Sequence, residues 1–359
     1  MSQRPLDKPI LITGGAGFIG ANLAALLAER LPGVQLVIVD DFRVGTFETL
    51  IDAFDRRGLA PFDGAVLPVS LTDVDPLDLI ADVDPAIVLH QAAITDTTIA
   101  DEREMLGVNT QTMRPILEGV EAVGARLVYA SSAATYGSPP EADTGEPFRL
   151  SSAGKPNNVY GFSKWLMECE HRRFDEDRAA RGEAPLQAVG LRYFNVFGPG
   201  ETHKGKMASI AHQLTRQVLA GDRPRLFEHG EQVRDQIHVD DVCECVLAAA
   251  GLGERRNPDV TPTPGVYNLG SGRTTSYADV ADAVRRGLGV EGERYATEYF
   301  PMPEAIAAFY QSYTCADLTE TERGLGWTPA RDPSAATAEY AAWLGARSEH
   351  AIETHGGGA

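Results

Sequence analysis

PILITGGAGFIG, residues 9–20, joins a short apolar run to a glycine-rich turn and then to residues with helical spacing. Pro9–Thr13 reads as a strand, and Gly17 to about Arg30 as the helix that follows. Between them Gly14, Gly17 and Gly20 let the backbone bend tightly and approach a pyrophosphate, whose oxygens the free N–H groups of the helix start can hold. The next apolar run, Leu36–Asp40, ends on an acid 20 residues after Gly20. A carboxylate at that strand end accepts hydrogen bonds from an adenosine ribose. The stretch therefore predicts a dinucleotide-binding turn.

The alternation continues outward. Ala65–Ser70, Ala86–Ala93, Arg126–Ser132, Leu186–Val196 and Val266–Gly270 read as further strands, with amphipathic stretches between most of them and a long helix over Val159–Ala180. Near-continuous apolar strands separated by helices indicate an α/β fold, a Rossmann-type doubly wound parallel sheet covered on both faces. After Val196 the texture turns to Gly/Pro-rich loops, which predicts a smaller C-terminal substrate lobe interleaved with the sheet. The expected division is 1–190 plus about 236–290 for the dinucleotide domain and about 191–235 plus 291–345 for the lobe. Residues 346–359, ending Gly-Gly-Gly-Ala, are expected to be a disordered tail.

Composition narrows the function classes. The 359 residues carry 32 Lys+Arg against 51 Asp+Glu, a formal net charge of −19, with 43% hydrophobic residues. A wholly disordered chain is excluded, and the acid excess counts against nucleic acid and anionic membrane surfaces as partners. With no membrane-length apolar run and no apolar signal core in MSQRPLDKPI, a cytoplasmic location is expected. Four cysteines, two of them (Cys243 and Cys245) separated by one residue, suit neither a disulfide framework nor a zinc knuckle, and no metal site is expected.

The chemistry-bearing residues cluster at expected strand ends. Tyr160 and Lys164, four apart at the start of the long helix, share a face. A nearby ammonium favours phenolate, so Lys164 is expected to lower the tyrosine pKa and fit Tyr160 for acid–base work at a hydroxyl. Ser132 ends the strand Arg126–Ser132, on the side of the sheet that faces the ligand crevice, and can donate to the same substrate oxygen. In His90-Gln91-Ala92-Ala93 the small residues let a cofactor approach the backbone, and His90 is given no chemistry. Leu191–Pro199 ends another strand at this edge; its Asn195 can bind a phosphate or sugar oxygen, while Arg192 is as well explained by structure as by function.

The Gly-x-x-Gly-x-x-Gly spacing and the Ser132/Tyr160/Lys164 set together resemble the extended short-chain dehydrogenase/reductases that act on nucleotide sugars, over roughly residues 8–345. Residues 129–137 (YASSAATYG), 155–161 (KPNNVYG), His203-Lys204-Gly205 with Met207-Ala208-Ser209, and Pro224–Glu228 are similar to the ADP-L-glycero-D-manno-heptose 6-epimerases of that family. The resemblance implies a bound NAD or NADP, a nucleotide-diphosphate sugar substrate, a homo-oligomer, and Lys204 as a second acid/base residue beside Tyr160. It further implies cofactor contacts at Phe18, Ile19, Asp40, Asp41, Ala92, Ala93, Lys164 and Val196. Substrate contacts are implied at Thr95, Asn195, Lys206, Phe227, Glu228, Arg234 and Tyr310. Where the family places lysines for a 2′-phosphate, this chain has Phe47 and, nearby, Pro76, and Asp40 and Asp41 repel a phosphate; NAD is favoured, with Arg43 leaving NADP open. Lys206 replaces a family serine and Gln213 a histidine, and residues 52–64 form an insertion. The alternative within the family is a nucleotide-sugar 4-epimerase. A 4,6-dehydratase is disfavoured because Ala133 and Ala134 stand where that class carries its acids. A dinucleotide-binding sensor or scaffold is disfavoured by the intact triad. Because Arg234, Lys204 and Lys206 are the cations assigned to substrate, the crevice is expected to be a positive island on a negative surface.

Overall fold

The computed structural model describes residues 6–96, 101–253, 256–302 and 311–356, with side chains as far as residue 348. Its strands are β1 (Ile10–Thr13), β2 (Leu36–Val39), β3 (Ala65–Leu67), β4 (Ile87–His90), β5 (Arg126–Ser132), β6 (Ala188–Tyr193), β7 (Asn195–Phe197), β8 (Arg225–Phe227), β9 (Val233–His238), β10 (Gly265–Leu269), β11 (Thr274–Ser276) and β12 (Glu298–Phe300). The helices are α1 (Phe18–Arg30), α2 (Phe47–Arg56), α3 (Pro76–Val83), α4 (Glu102–Leu106), α5 (Met113–Val123), α6 (Glu141–Thr144), α7 (Val159–Ala180), α8 (Ile210–Leu219), α9 (Val239–Ala249), α10 (Tyr277–Leu288), α11 (Thr319–Leu325) and α12 (Pro333–Gly356).

Seven strands form one parallel sheet in the order β10-β6-β5-β4-β1-β2-β3. β1 and β4 are buried along their whole length, as expected of strands covered on both faces. One face packs against α1 and α9 and the other against α5 and α7, each with its own apolar cluster. The chain runs outward from β1 to β3 and then returns to β4 on the other side of β1. That reversal opens a crevice at the carboxyl ends of β1 and β4.

The run expected as one strand over Leu186–Val196 is two. β6 ends at Tyr193, Phe194 donates its N–H to Leu269 O at 2.9 Å, and β7 begins at Asn195 in a three-stranded sheet of order β11-β9-β7. Phe194 makes the crossing because its ring is buried with Tyr136, Phe148 and Ala316, away from the main sheet's core. Asn195 is thereby carried out of the main sheet toward the second lobe. β8 and β12 pair in parallel as a small separate sheet.

Two expected boundaries move. α10 shares an apolar cluster with α8 and α12 through Val280, Ala281, Val284, Leu214 and Tyr340, so the segment to about 290 does not all belong to the dinucleotide domain. The tail expected to be disordered from residue 346 is helical as far as Gly356, because α12 is rich in Ala and its Arg347 bonds both carboxylate oxygens of Asp52 at 2.9 and 2.8 Å. Among the described residues no helix is long and apolar enough to cross a membrane.

Candidate active site

Two cavities meet at the crevice. The first, of about 520 Å³, is lined by Gly14, Gly17 and Phe18 from the β1–α1 turn, by Asp40, Asp41 and Arg43 after β2, and by Ala92, Ala93 and Thr95 after β4. Gly14 takes a φ of +67°, and a Cβ on it would lie 2.6 Å from Ala92 N, so only glycine fits there. A Cβ on Gly20 would collide with Gly14 O, which brings the helix close beneath the turn. Gly17 caps α1, the first turn holds no acid, and Asp40 accepts from Gly17 N, so the N–H groups of the first turn beyond Gly17 are those a ligand anion can take. Ile19 faces the core instead of the cavity. Asp40 accepts from Ala16 N at 2.9 Å and Phe42 N at 2.8 Å, which fixes both of its oxygens at the cavity wall. Burial pushes its carboxyl pKa up, and those two hydrogen bonds work against the shift. An open helix start, a glycine turn and a held carboxylate at a strand end fit a dinucleotide.

Ser132, Tyr160 and Lys164 are brought together by the contact between α7 and the turn after β5. Asn158 caps α7 by accepting from Gly161 N at 2.8 Å. Any side chain at Gly161 would strike Ala134 O, so the glycine sets how closely Tyr160 approaches Ser132. Tyr160 and Ser132 are hydrogen-bonded through their side chains, and the Ser132 hydroxyl also accepts from Ala134 N at 3.1 Å. One expectation is corrected here. The Tyr160 phenol is pushed up by burial, and the Ser132 hydrogen bond is what lowers it; Lys164 does not. Lys164 is buried, donates to Ala130 O at 2.9 Å, and is itself brought down to about 7 by burial, so it is only partly charged near neutrality. His90 is a packed residue bonded to Thr13 Oγ1 at 2.7 Å.

The second cavity, of about 550 Å³, is walled by Asn195 and Val196 of β7, by Lys204 and Met207, and by Arg225 and Phe227 of β8. Lys204 and Met207 line both cavities, so their segment is the shared wall. That segment is firmly held. Buried Glu201 accepts from Gly198 N (3.1 Å), Ser209 N (2.6 Å) and Ser209 Oγ (2.7 Å), tying the two ends together. His203 Nδ1 lies 3.1 Å from Thr49 Oγ1 on α2. Burial pushes the Lys204 ammonium pKa down, opposed by Glu201, and its Nζ lies 5.1 Å from the centre of the Phe18 ring.

Other expected contacts distribute unevenly. Val196 lies in the second cavity instead of the dinucleotide cavity, and Thr95 lies in the dinucleotide cavity instead of with Asn195. Arg234 is buried, donates to Val233 O at 3.2 Å and does not line the second cavity; Arg225 does. Glu228 turns away, its carboxylate accepting from Met302 N at 2.8 Å, and Lys206 is exposed outside the wall. Tyr310 lies outside the described residues. The expected positive island holds for the second cavity, whose described lining contains Lys204 and Arg225 and no acid. It fails for the first, where Asp40, Asp41 and Asp96 line the wall. Sequence reading missed Arg225, whose signal was its place beside Phe227 in a segment already singled out.

Two buried acids hold the frame. Glu168 pairs with Arg192 through 2.9 and 2.7 Å bonds and accepts from Ser131 Oγ at 2.6 Å, next to Ser132. Asp235 accepts from Ser271 N (2.6 Å), Ser271 Oγ (2.8 Å), Gly272 N (3.0 Å) and Ala316 N (2.9 Å), while its own carbonyl oxygen takes the Asn195 amide at 3.0 Å. Burial raises the Asp235 carboxyl from 3.8 to about 6 despite these bonds. Between those values the unfolded chain binds fewer protons at this residue than the folded one, so its contribution to stability falls as pH rises. Urea midpoints of the wild type minus those of Asp235→Asn should therefore decline from pH 4 to pH 6. A flat difference would show that the carboxyl does not titrate in that window.

Residues 10–270 match the NAD dependent epimerase/dehydratase family. The chain is 31% identical to the Helicobacter pylori ADP-L-glycero-D-manno-heptose-6-epimerase, with a TM-score of 0.80 over 98% of this chain and 99% of that one. MoeE5, solved in complex with UDP-glucose and NAD, is 26% identical, with a TM-score of 0.72 over 95% and 99% of the two chains. The UDP-N-acetylglucosamine 4-epimerase of Methanobrevibacter ruminantium shares the fold at 21% identity and a TM-score of 0.78, over 95% and 99%.

Proposed function

Because the chain belongs to the NAD dependent epimerase/dehydratase family, we propose that it is a nucleotide-sugar epimerase that inverts C6 of an ADP-glycero-manno-heptose or a close relative. The observation that carries the reading is Lys204, a half-buried lysine in the wall common to both cavities. Inverting a carbinol carbon through a ketone requires hydride to leave one face and return to the other. The sugar must be presented in two orientations, and a single fixed acid does not serve both equally well. Tyr160 takes the proton from the hydroxyl while Ser132 donates to the same oxygen. A dinucleotide held at the β1–α1 turn and Asp40 would supply the hydride acceptor and donor. Lys204, with its pKa lowered by burial, holds or supplies the proton at the oxygen in the other orientation. Gly17 and the start of α1 hold the dinucleotide's phosphates, and Arg225 with Lys204 supplies positive charge for the sugar nucleotide's diphosphate.

Lys204→Met is expected to lower the epimerisation rate by about 10²-fold while leaving bound dinucleotide in place. Near-normal turnover by that variant, followed by product NMR, would remove Lys204 from the chemistry. The substrate is tested with a panel of ADP-, GDP-, UDP- and CDP-linked sugars, using NMR to follow inversion. In deuterium oxide the inverted carbon should keep its own hydrogen, and deuterium appearing there would exclude hydride return. Mass spectrometry of the denatured protein's supernatant identifies the dinucleotide released.

A further inference from the structure

At the adenosine end of the dinucleotide cavity the wall residue Arg43 is held in an ion pair from behind the wall. Arg43, in the segment after β2, reaches α4, which follows β4 on the far side of β1, and bonds Glu104 Oε1 through Nη1 at 2.6 Å. Arg43 Nε also lies 3.6 Å from Asp41 Oδ2, and Arg43 N donates to Asp41 Oδ1 at 3.0 Å. Glu104 is itself placed by the cap of α4, where Asp101 Oδ1 accepts its N–H at 3.0 Å. Among the described residues lining this cavity the lysines and arginines are Arg43 and Lys204, and Lys204 stands at the wall shared with the other cavity. Asp40 and Asp41 mark the end where a ribose lies. A 2′-phosphate placed there has Arg43 as its one nearby cationic partner among those described residues. To take that phosphate, Arg43 must divide its charge between the phosphate and Glu104, and the dianion then lies near that carboxylate. A ribose 2′-hydroxyl imposes neither penalty.

We propose that Glu104 is a specificity-determining residue for the dinucleotide: by holding Arg43 it keeps the cavity selective for NAD over NADP. The inference rests on the reading that this cavity binds NAD. Both side chains of the pair are about four-tenths exposed, at 42% and 44%, so the pair's removal does not threaten the fold.

The test is calorimetric titration of cofactor-depleted protein with NAD and with NADP at low ionic strength. Wild type should prefer NAD. Glu104→Gln should narrow the preference by about tenfold, through tighter NADP binding, with NAD affinity nearly unchanged. The double variant Glu104→Gln/Arg43→Met should lose that gain, because the effect acts through the guanidinium. An unchanged NAD/NADP ratio in Glu104→Gln overturns the proposal, as does a double variant that keeps the gain. A wild type that binds neither dinucleotide overturns the underlying cofactor reading instead, so the two failures are distinguishable.

Discussion

Tyr160→Phe is expected to lower kcat/KM by about 10³-fold, the largest activity loss of any single change at this site. The substitution removes one oxygen and keeps the ring that packs at the start of α7. The lost oxygen is the one hydrogen-bonded to Ser132. Folding and dinucleotide content should be unaffected, because the phosphate-holding turn lies at β1–α1. The pH profile adds a second readout. Burial holds the phenol proton tightly, so the wild-type rate should rise with pH as phenolate becomes accessible. Lys164 sits at about 7 through burial and does not lower the phenol, so Lys164→Met should leave that rise where it is. A Tyr160→Phe enzyme within threefold of wild type would sink the assignment, and a profile moved by Lys164→Met would show that its ammonium does act on the phenol.

Glu168→Gln carries the largest expected loss of stability, about 3–5 kcal/mol by urea unfolding. Glu168 has no exposed surface and Arg192 has almost none, so the amide leaves a buried guanidinium without its counter-charge. The same carboxylate accepts from Ser131 beside Ser132, while Arg192 continues to Tyr136 OH at 3.0 Å and Leu150 O at 2.9 Å. Losing Glu168 should therefore also loosen Ser132 and lower kcat. Replacing both partners with apolar residues of similar volume, Glu168→Met with Arg192→Leu, should recover much of the stability. If Glu168→Gln costs less than about 1 kcal/mol, the pair is not carrying the frame.

The doubly wound sheet could be read from the sequence because its signals are local: apolar runs of strand length, a glycine turn and an acid at the next strand end. The long helix expected from Val159 to about Ala180 is α7. The break between β6 and β7 was not, because nothing in Leu186–Val196 marks Phe194 as the crossing point. Its burial is decided by Tyr136, Phe148 and Ala316, distant in sequence. Ser132, Tyr160 and Lys164 were legible as a set, but their electrostatics were not. Spacing brings Lys164 onto the tyrosine's face of the helix, while the direction of its ammonium depends on the Ala130 carbonyl across the sheet. Arg225 lines the cavity where Arg234 was expected, for the same reason: which arginine of two consecutive strands faces a cavity is set by how β8 and β9 pair with their separate partners.

The wall that Lys204 and Met207 present to both cavities makes the two ligands thermodynamically reciprocal. Whatever a seated sugar nucleotide adds to dinucleotide retention through that wall, a seated dinucleotide adds equally to the sugar nucleotide. An epimerase consumes no net reductant and gains nothing by releasing its dinucleotide between turnovers. A common partition is therefore suited to a catalyst that keeps one ligand while exchanging the other.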